Sequence, residues 1–162
     1  MNQNFTIRLI EAGDNAKVAS IIRQVMTEFD CTGEGYSIND AEVDSMYENY
    51  PTEISRFYVV TRDTAVLGCG GFAPLKGGDE DTCELKKMYF LEEARGKGMG
   101  RKLLESCLEA AKSLGYHRMY LETVERMTDA NILYQKMGFK KLCGTLGNTG
   151  HGTCDTFYAR DL

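Results

Sequence analysis

No apolar run in this 162-residue chain approaches the roughly 20 residues of a membrane span, so no membrane partner is expected. The opening Met1-Asn2-Gln3-Asn4-Phe5 has neither a basic nor an apolar leader region, which argues against secretion. Six cysteines occur, at positions 31, 69, 83, 107, 143 and 154, without a C-x-x-C pair; a disulfide framework is not indicated, and a reduced, cytoplasmic setting fits best. His151 and Cys154 lack the paired ligand spacing of a zinc site with Cys143 or Cys31, so no metal is expected. As a nucleophile and base the same two residues lack a third orienting group. Positive charge is in deficit: the chain carries a net −5, and nucleic acid is therefore not an expected partner. With no repeat, low-complexity tract or linker, residues 5–162 read as one domain.

What is present is glycine in a telling place. Arg95-Gly96-Lys97-Gly98-Met99-Gly100 lies between the apolar run Met88-Tyr89-Phe90-Leu91 and an amphipathic segment beginning at Arg101. This reads as a loop joining a strand to a helix. Glycines let backbone N–H groups turn toward a ligand, and the first helical turn adds unpaired donors and the positive end of the dipole, which together suit a pyrophosphate. From Glu84 to Lys102, six basic residues stand against three acidic ones, a local positive excess on an acidic molecule. The dinucleotide pattern G-x-G-x-x-G fails because Arg101 occupies the third glycine's place, and no window supplies a P-loop.

Strand and helix patterns surround this loop. Phe5 to Ile10 reads as a first strand, and Asp14 as the cap of a helix whose Val18, Ile22, Val25, Met26 and Phe29 recur at helical spacing. Cys31 to Asn39 interrupts it, and a second helix is expected after Asp40. Phe57 to Thr61 and Ala65 to Leu75 form a predicted antiparallel hairpin, Lys76 to Asp81 a turn, and Cys83 to Phe90 a central strand. Strand alternation would place Glu84, Lys86 and Met88 on one face. After the loop, Leu103, Leu104, Cys107, Leu108, Ala111 and Leu114 line a helix closed by Gly115. Met119 to Thr123 reads as a strand, Ala130 to Met137 as a helix before Gly138, and Lys140 to Gly144 and Cys154 to Ala159 as the last strands, joined by the long loop Thr145 to Thr153.

Three segments carry a resemblance to a known family. Arg95, Gly98 and Gly100 meet the pattern [RQ]-x-x-G-x-[GA]; Ala130, Leu133, Tyr134, Gly138 and Phe139 meet A-x-x-L-Y-x-x-x-G-F; and Thr6 to Ile10 followed by Asp14 is similar to the opening strand and cap. In this order they resemble the GNAT family of acyl-CoA-dependent N-acetyltransferases. The resemblance implies an α/β (α+β) fold with a mixed, mostly antiparallel central sheet flanked by helices, in which the strands ending at Phe90 and Thr123 splay apart around acetyl-CoA. It implies pantetheine pairing with backbone near Met88, Tyr89 and Phe90, and pyrophosphate resting on the N–H groups of Arg95, Gly96, Lys97, Gly98, Met99, Gly100 and Arg101. Arg95 would orient the loop; Lys97, Arg101 and Lys102 either contact phosphate or remain solvated.

The implied chemistry is attack of a primary amine on a thioester. Tyr134 matches the family's usual acid, and Glu84, on the central strand before the loop, resembles its general base; each has an alternative reading, as a core aromatic and as a surface carboxylate paired with Lys86 or Lys87. The Phe90 N–H would polarise the thioester carbonyl. The family frequently carries asparagine where this chain has Met127, and Asn131 one turn later is the candidate replacement. Phe29, Tyr36, Tyr47, Tyr58 and His151 are candidate walls of an acceptor pocket. The expected acceptor is a small-molecule amine, with a peptide or protein amine, or a non-catalytic acyl-CoA sensor, as the other readings. A homodimer is the commonest assembly for such an enzyme.

Overall fold

The computed structural model describes residues 4–162; Met1–Gln3, part of the segment read for a leader, lie outside the described residues. Seven strands form one sheet: β1 (Phe5–Leu9), β2 (Arg56–Arg62), β3 (Ala65–Pro74), β4 (Thr82–Phe90), β5 (Arg118–Thr123), β6 (Lys140–Leu142) and β7 (Thr156–Asp161), with the helices α1 (Asn15–Glu28), α2 (Met99–Ser113) and α3 (Thr128–Lys136) between them. The spatial order is β1-β2-β3-β4-β5-β7-β6. Every neighbouring pair is antiparallel except β4 and β5, which run parallel.

Period-two alternation divides the core between the two faces of this sheet. Phe57, Val59, Leu67 and Cys69 share a cluster with Val18, Ile21, Ile22 and Val25 of α1. On the opposite face, Phe72, Cys83, Leu85, Met119 and Leu121 pack with Leu104, Cys107 and Ala111 of α2 and with Tyr134 of α3. The α2 stripe anticipated from spacing is thus the buried one, and Gly115 closes that helix with φ +94°.

Three expectations are corrected. Asp14 precedes α1, yet its carboxylate does not cap that helix: it accepts from the Arg8 guanidinium at 2.7 and 3.0 Å and from the Glu11 N–H at 2.8 Å, closing a 3-10 turn over Ala12–Asp14. An adjacent guanidinium outcompetes backbone amides for a carboxylate. After Asp40 only a 3-10 turn forms, Ala41–Asp44, because the carboxylates of Asp40 and Glu42 are drawn inward to Lys86 and Lys87. Along β4 the alternation breaks: Gly71 faces Lys86 and Cys69 faces Tyr89, so two residues of β4 oppose one of β3. Lys87, at φ +54°, is the extra residue, and Met88 consequently packs with Leu103 while Lys86 and Lys87 reach the same acidic loop.

Gly71 lets β2 and β3 approach, since a Cβ there would lie 2.2 Å from the Arg56 carbonyl oxygen and 2.7 Å from Cδ2 of Phe57. Gly71→Ala is expected to lower stability by about 1–3 kcal/mol, read as a reduced urea midpoint at unchanged slope.

Candidate active site

The glycine loop leaves β4 through a 3-10 turn at Glu92–Ala94 and enters α2 at Gly98. Gly96 and Gly98 have φ of +68° and +77°, and a Cβ on either would meet nothing within 4 Å. The loop is therefore bent by backbone conformation and open on its outer side. Arg95 pins it: its Nε donates to the Phe90 carbonyl at 2.9 Å, its two terminal nitrogens hold the Glu28 carboxylate at 2.7 and 2.6 Å, and the guanidinium lies 5.8 Å from the Phe29 ring centroid. A groove of about 530 Å³ runs from the loop toward β4, lined by Met88, Tyr89, Phe90, Arg95, Gly96, Gly98, Met99, Gly100 and Arg101. Lys97 does not line it.

The cationic excess counted around this loop is smaller in three dimensions. Lys86 and Lys87 are paired with Glu42, Arg95 with Glu28, and Arg101 with Glu105. What the loop offers to an anion is the N–H groups of the first turn of α2 and its dipole more than side-chain charge.

β4 and β5 pair only at Thr82–Arg118, Cys83–Met119 and Glu84–Tyr120, and then part. The bulge at Lys87 bends β4 away, leaving a wedge in the middle of the sheet. The Leu91 N–H donates to the Leu67 carbonyl at 2.8 Å, so by antiparallel alternation the Phe90 N–H turns away from β3, toward the wedge. Glu84, Met88, Tyr89, Glu122, Tyr134, His151 and Cys154 all line the small cavity within it, about 60 Å³. Tyr134 enters from the α3 side, braced by Phe139 and Tyr158 with ring centroids 6.0 and 5.9 Å away. Burial lifts its phenol above the ordinary value, so it stays protonated at neutral pH.

Glu84 enters from the face that carries α1. It is 5% exposed and makes no ion pair among the described residues; Lys86 and Lys87, its expected surface partners, are engaged by Asp40 and Glu42 instead. Burial, reinforced by the nearby Glu122 charge and opposed by Lys86 and His151, raises its carboxyl to about 7. Glu122 behaves oppositely: burial would raise it, but the nearby His151 charge and hydrogen bonds from Thr149 and Tyr120 outweigh burial and hold it below the ordinary carboxylate value. His151 stands between Asp40, 2.9 Å from Nε2, and Glu122, 3.6 Å from Nδ1. Burial opposes its charge, but the Asp40 hydrogen bond and Glu122 prevail and raise it to about 9. Glu84, Glu122 and His151 offer ligand atoms within 4.8 Å of one another. With the His151 ring set between the carboxylates of Asp40 and Glu122, the trio forms a charged cluster.

Other expected site residues lie elsewhere. Asn131 does not reach the groove: its amide donates to the carbonyls of Val124 and Met127 at 3.0 and 2.8 Å, and its oxygen accepts from the Tyr158 hydroxyl, so it fastens α3 to the end of β5. Tyr58 is on the α2 face beside Ser106 and Glu109, Tyr47 is 47% exposed and does not line the wedge cavity, and Phe29 lines the groove at the glycine loop instead of that cavity. Tyr36 does border the wedge, with its hydroxyl 3.0 Å from Arg126. Sequence reasoning missed Glu122 and Asp40. Glu122, an acid inside the apolar strand Met119–Thr123, was the one with a signal; Asp40 gains its place only through contacts distant in sequence.

Comparison with known proteins agrees with this fold. The acetyltransferase (GNAT) family model matches residues 22–139. The uncharacterized N-acetyltransferase YjgM of Escherichia coli K12 is 39% identical over 161 residues, covering 99% of this chain and 96% of that protein. An IAA acetyltransferase of Azospirillum brasilense is 38% identical over 108 residues, 66% of this chain and 68% of the relative. In fold, the chain is similar to a GNAT acetyltransferase from Staphylococcus aureus Mu50, at TM-score 0.83 and 19% identity over 98% of this chain and 99% of that one. It is also similar to yncA of Salmonella typhimurium, solved with acetyl-CoA, at TM-score 0.75 and 22% identity over 98% and 94% of the two chains. A family match over most of the chain and a relative aligned along nearly all of it make this protein a member of the GNAT family of acetyl-CoA-dependent N-acetyltransferases.

Proposed function

We propose that the enzyme acetylates the primary amine of a small molecule by direct attack in a ternary complex, with Glu84 as base and Tyr134 as acid. The observation that carries this reading is that both side chains line one cavity where β4 and β5 part, at the end of the groove leading to the glycine loop. The chain's residues fit the cofactor: the open backbone at Gly96 and Gly98 and the first turn of α2 offer N–H donors to a diphosphate, and the unpaired edge of β4 at Met88 and Phe90 offers strand-like hydrogen bonds to pantetheine amides. When bound, acetyl-CoA supplies an acyl thioester.

Glu84, poised near neutrality, accepts a proton from the amine as the N–C bond forms. The Phe90 N–H is the donor available to the carbonyl oxygen. Tyr134, a phenol kept protonated by burial, gives its proton to the departing sulfur as the C–S bond breaks, and recovers it from solvent. A covalent route through Cys154 is disfavoured, because burial, and secondarily the charge of Glu122, push its thiol up to about 12, while His151 is itself protonated and held by Asp40. The small cavity favours the head of a slender amine over a broad peptide surface. All six cysteines are free, in keeping with a reducing cytoplasm.

Thiol release from acetyl-CoA across a panel of amino acids, polyamines and aminoglycosides tests this. Tyr134→Phe and Glu84→Gln are each expected to lower kcat about 10²–10⁴-fold while calorimetry shows acetyl-CoA binding retained. In the wild type kcat/KM should fall as pH drops below about 7, where Glu84 becomes protonated, and Glu84→Gln should lose that limb. Binding without Tyr134-dependent turnover for any amine would favour an acyl-CoA sensor. Gly98→Ala, which forces a left-handed conformation on a residue with a Cβ, should cost about 1–2 kcal/mol and weaken acetyl-CoA binding in the same calorimetric experiment.

A further inference from the structure

Beyond the two residues that handle protons, the cavity holds a second pair whose arrangement neither loop geometry nor cofactor binding explains. We propose that His151 and Glu122 are positioning residues for Glu84: the imidazolium, anchored from behind by Asp40, holds Glu122 as a fixed anion beside Glu84, and the pair governs the pH at which Glu84 can accept a proton. The inference rests on the reading of Glu84 as the base.

The geometry comes from three separate parts of the chain. Asp40 lies on the loop before β2, Glu122 on β5, and His151 on the loop between β6 and β7. That last loop is tacked down along its length, with the Asn148 N–H on the Lys76 carbonyl at 2.7 Å, the Thr149 hydroxyl on Glu122, and the Thr153 hydroxyl on the Glu34 carbonyl. His151 is thereby delivered with each ring nitrogen facing a carboxylate, its side chain 10% exposed against Glu122 at 3%. With Nε2 taken by Asp40 and Nδ1 turned to Glu122, the role we assign to His151 is one exerted through Glu84 in place of the expected substrate contact. Glu122 is held on its other oxygen by the Tyr120 hydroxyl at 2.7 Å, which leaves it no freedom to swing away.

The other charged and titratable groups around Glu84 are Lys86 and Lys87 on its own strand, Tyr120 on β5, Asp40, Glu42 and Tyr50 from the segment before β2, and Cys83 and Cys154. The two lysines are matched by Asp40 and Glu42. His151 and Glu122 are the charges from other elements with ligand atoms within 4.8 Å of Glu84, and they act on it in opposite directions. Two adjacent carboxylates pushed apart in proton affinity is the arrangement that assigns one the fixed charge and the other the mobile proton.

Opposite actions give opposite signatures. With glutamate labelled by 13C at the carboxyl and coenzyme A bound, the Glu84 signal is identified by its loss in Glu84→Gln and followed against pH. Glu122→Gln removes an anion and should lower the titration midpoint by about one pH unit; His151→Gln removes a cation and should raise it by about as much. If His151→Gln does not fold, Glu122→Gln carries the test alone, and a midpoint there that stays put or rises overturns the inference. The low-pH limb of kcat/KM, measured with the fastest amine of the panel, should follow in the same directions. A merely structural role would lower turnover and leave both midpoint and limb in place, which would overturn the inference while Glu84 remained the base. Survival of the limb in Glu84→Gln would instead overturn the base assignment, whatever the signal does.

Discussion

The interruption of β4 at Lys87 is the constraint from which the site follows. A non-glycine residue at φ +54° carries a backbone penalty of roughly 1–2 kcal/mol, and its side chain is 1% exposed. Both features are sustained by two buried ion pairs, to Asp40 at 2.7 Å and Glu42 at 2.6 Å. The extra residue turns the strand, so that parallel pairing with β5 ends at Glu84 and Tyr120. Without the turn, β4 and β5 would zip along their length, and their backbone groups would bond each other instead of facing a groove. Buried ion pairs contribute little net stability, yet removal of one partner is costly because the other is left uncompensated. That asymmetry suits a device whose task is to fix one strand conformation.

The same acidic loop then shapes the chemistry. Asp40 serves Lys87 with one oxygen and His151 with both, which is why burial fails to neutralise it and its carboxyl falls to about 2. The strand bulge and the charge beside Glu84 are thus mechanically joined: the residue that anchors the bent strand also anchors the imidazolium. Glu84 is the one carboxylate of this group without an ion pair among the described residues, and the one whose proton affinity rises to neutrality. A carboxyl poised near neutrality is made here by withholding partners from one acid while supplying them to three others.

Cofactor and acceptor halves differed in how far the sequence disclosed them. The glycine loop, the α2 stripe and the A-x-x-L-Y-x-x-x-G-F helix are encoded by residues a few positions apart, through left-handed glycines and helical spacing, and local chemistry settles them. Tyr134 was legible for the same reason. Asp40, Glu122 and His151 are separated by 82 and 29 positions, and nothing in their immediate neighbours marks them as partners. The bulge was hidden more deeply, since Lys86-Lys87 reads as one inward and one outward residue until the acidic loop draws both the same way. Asn131 was placed on the correct helix, but its carboxamide turns to the carbonyls of Val124 and Met127 and to the Tyr158 hydroxyl, contacts that no local pattern announces.

This division has a physical basis in what each half must recognise. A diphosphate and a chain of amides can be bound by main-chain groups, which only a backbone conformation has to supply, and short motifs specify backbone conformation well. A proton-accepting carboxylate tuned to neutrality needs charges of both signs at fixed distances, and those come most rigidly from elements that already pack together for other reasons. In this chain they come from the loop that pins the bent strand, from the strand across the wedge, and from the loop tacked over both. The acceptor side is accordingly assembled by tertiary structure, with the sheet's central gap as the one place where all three can meet the end of the cofactor groove.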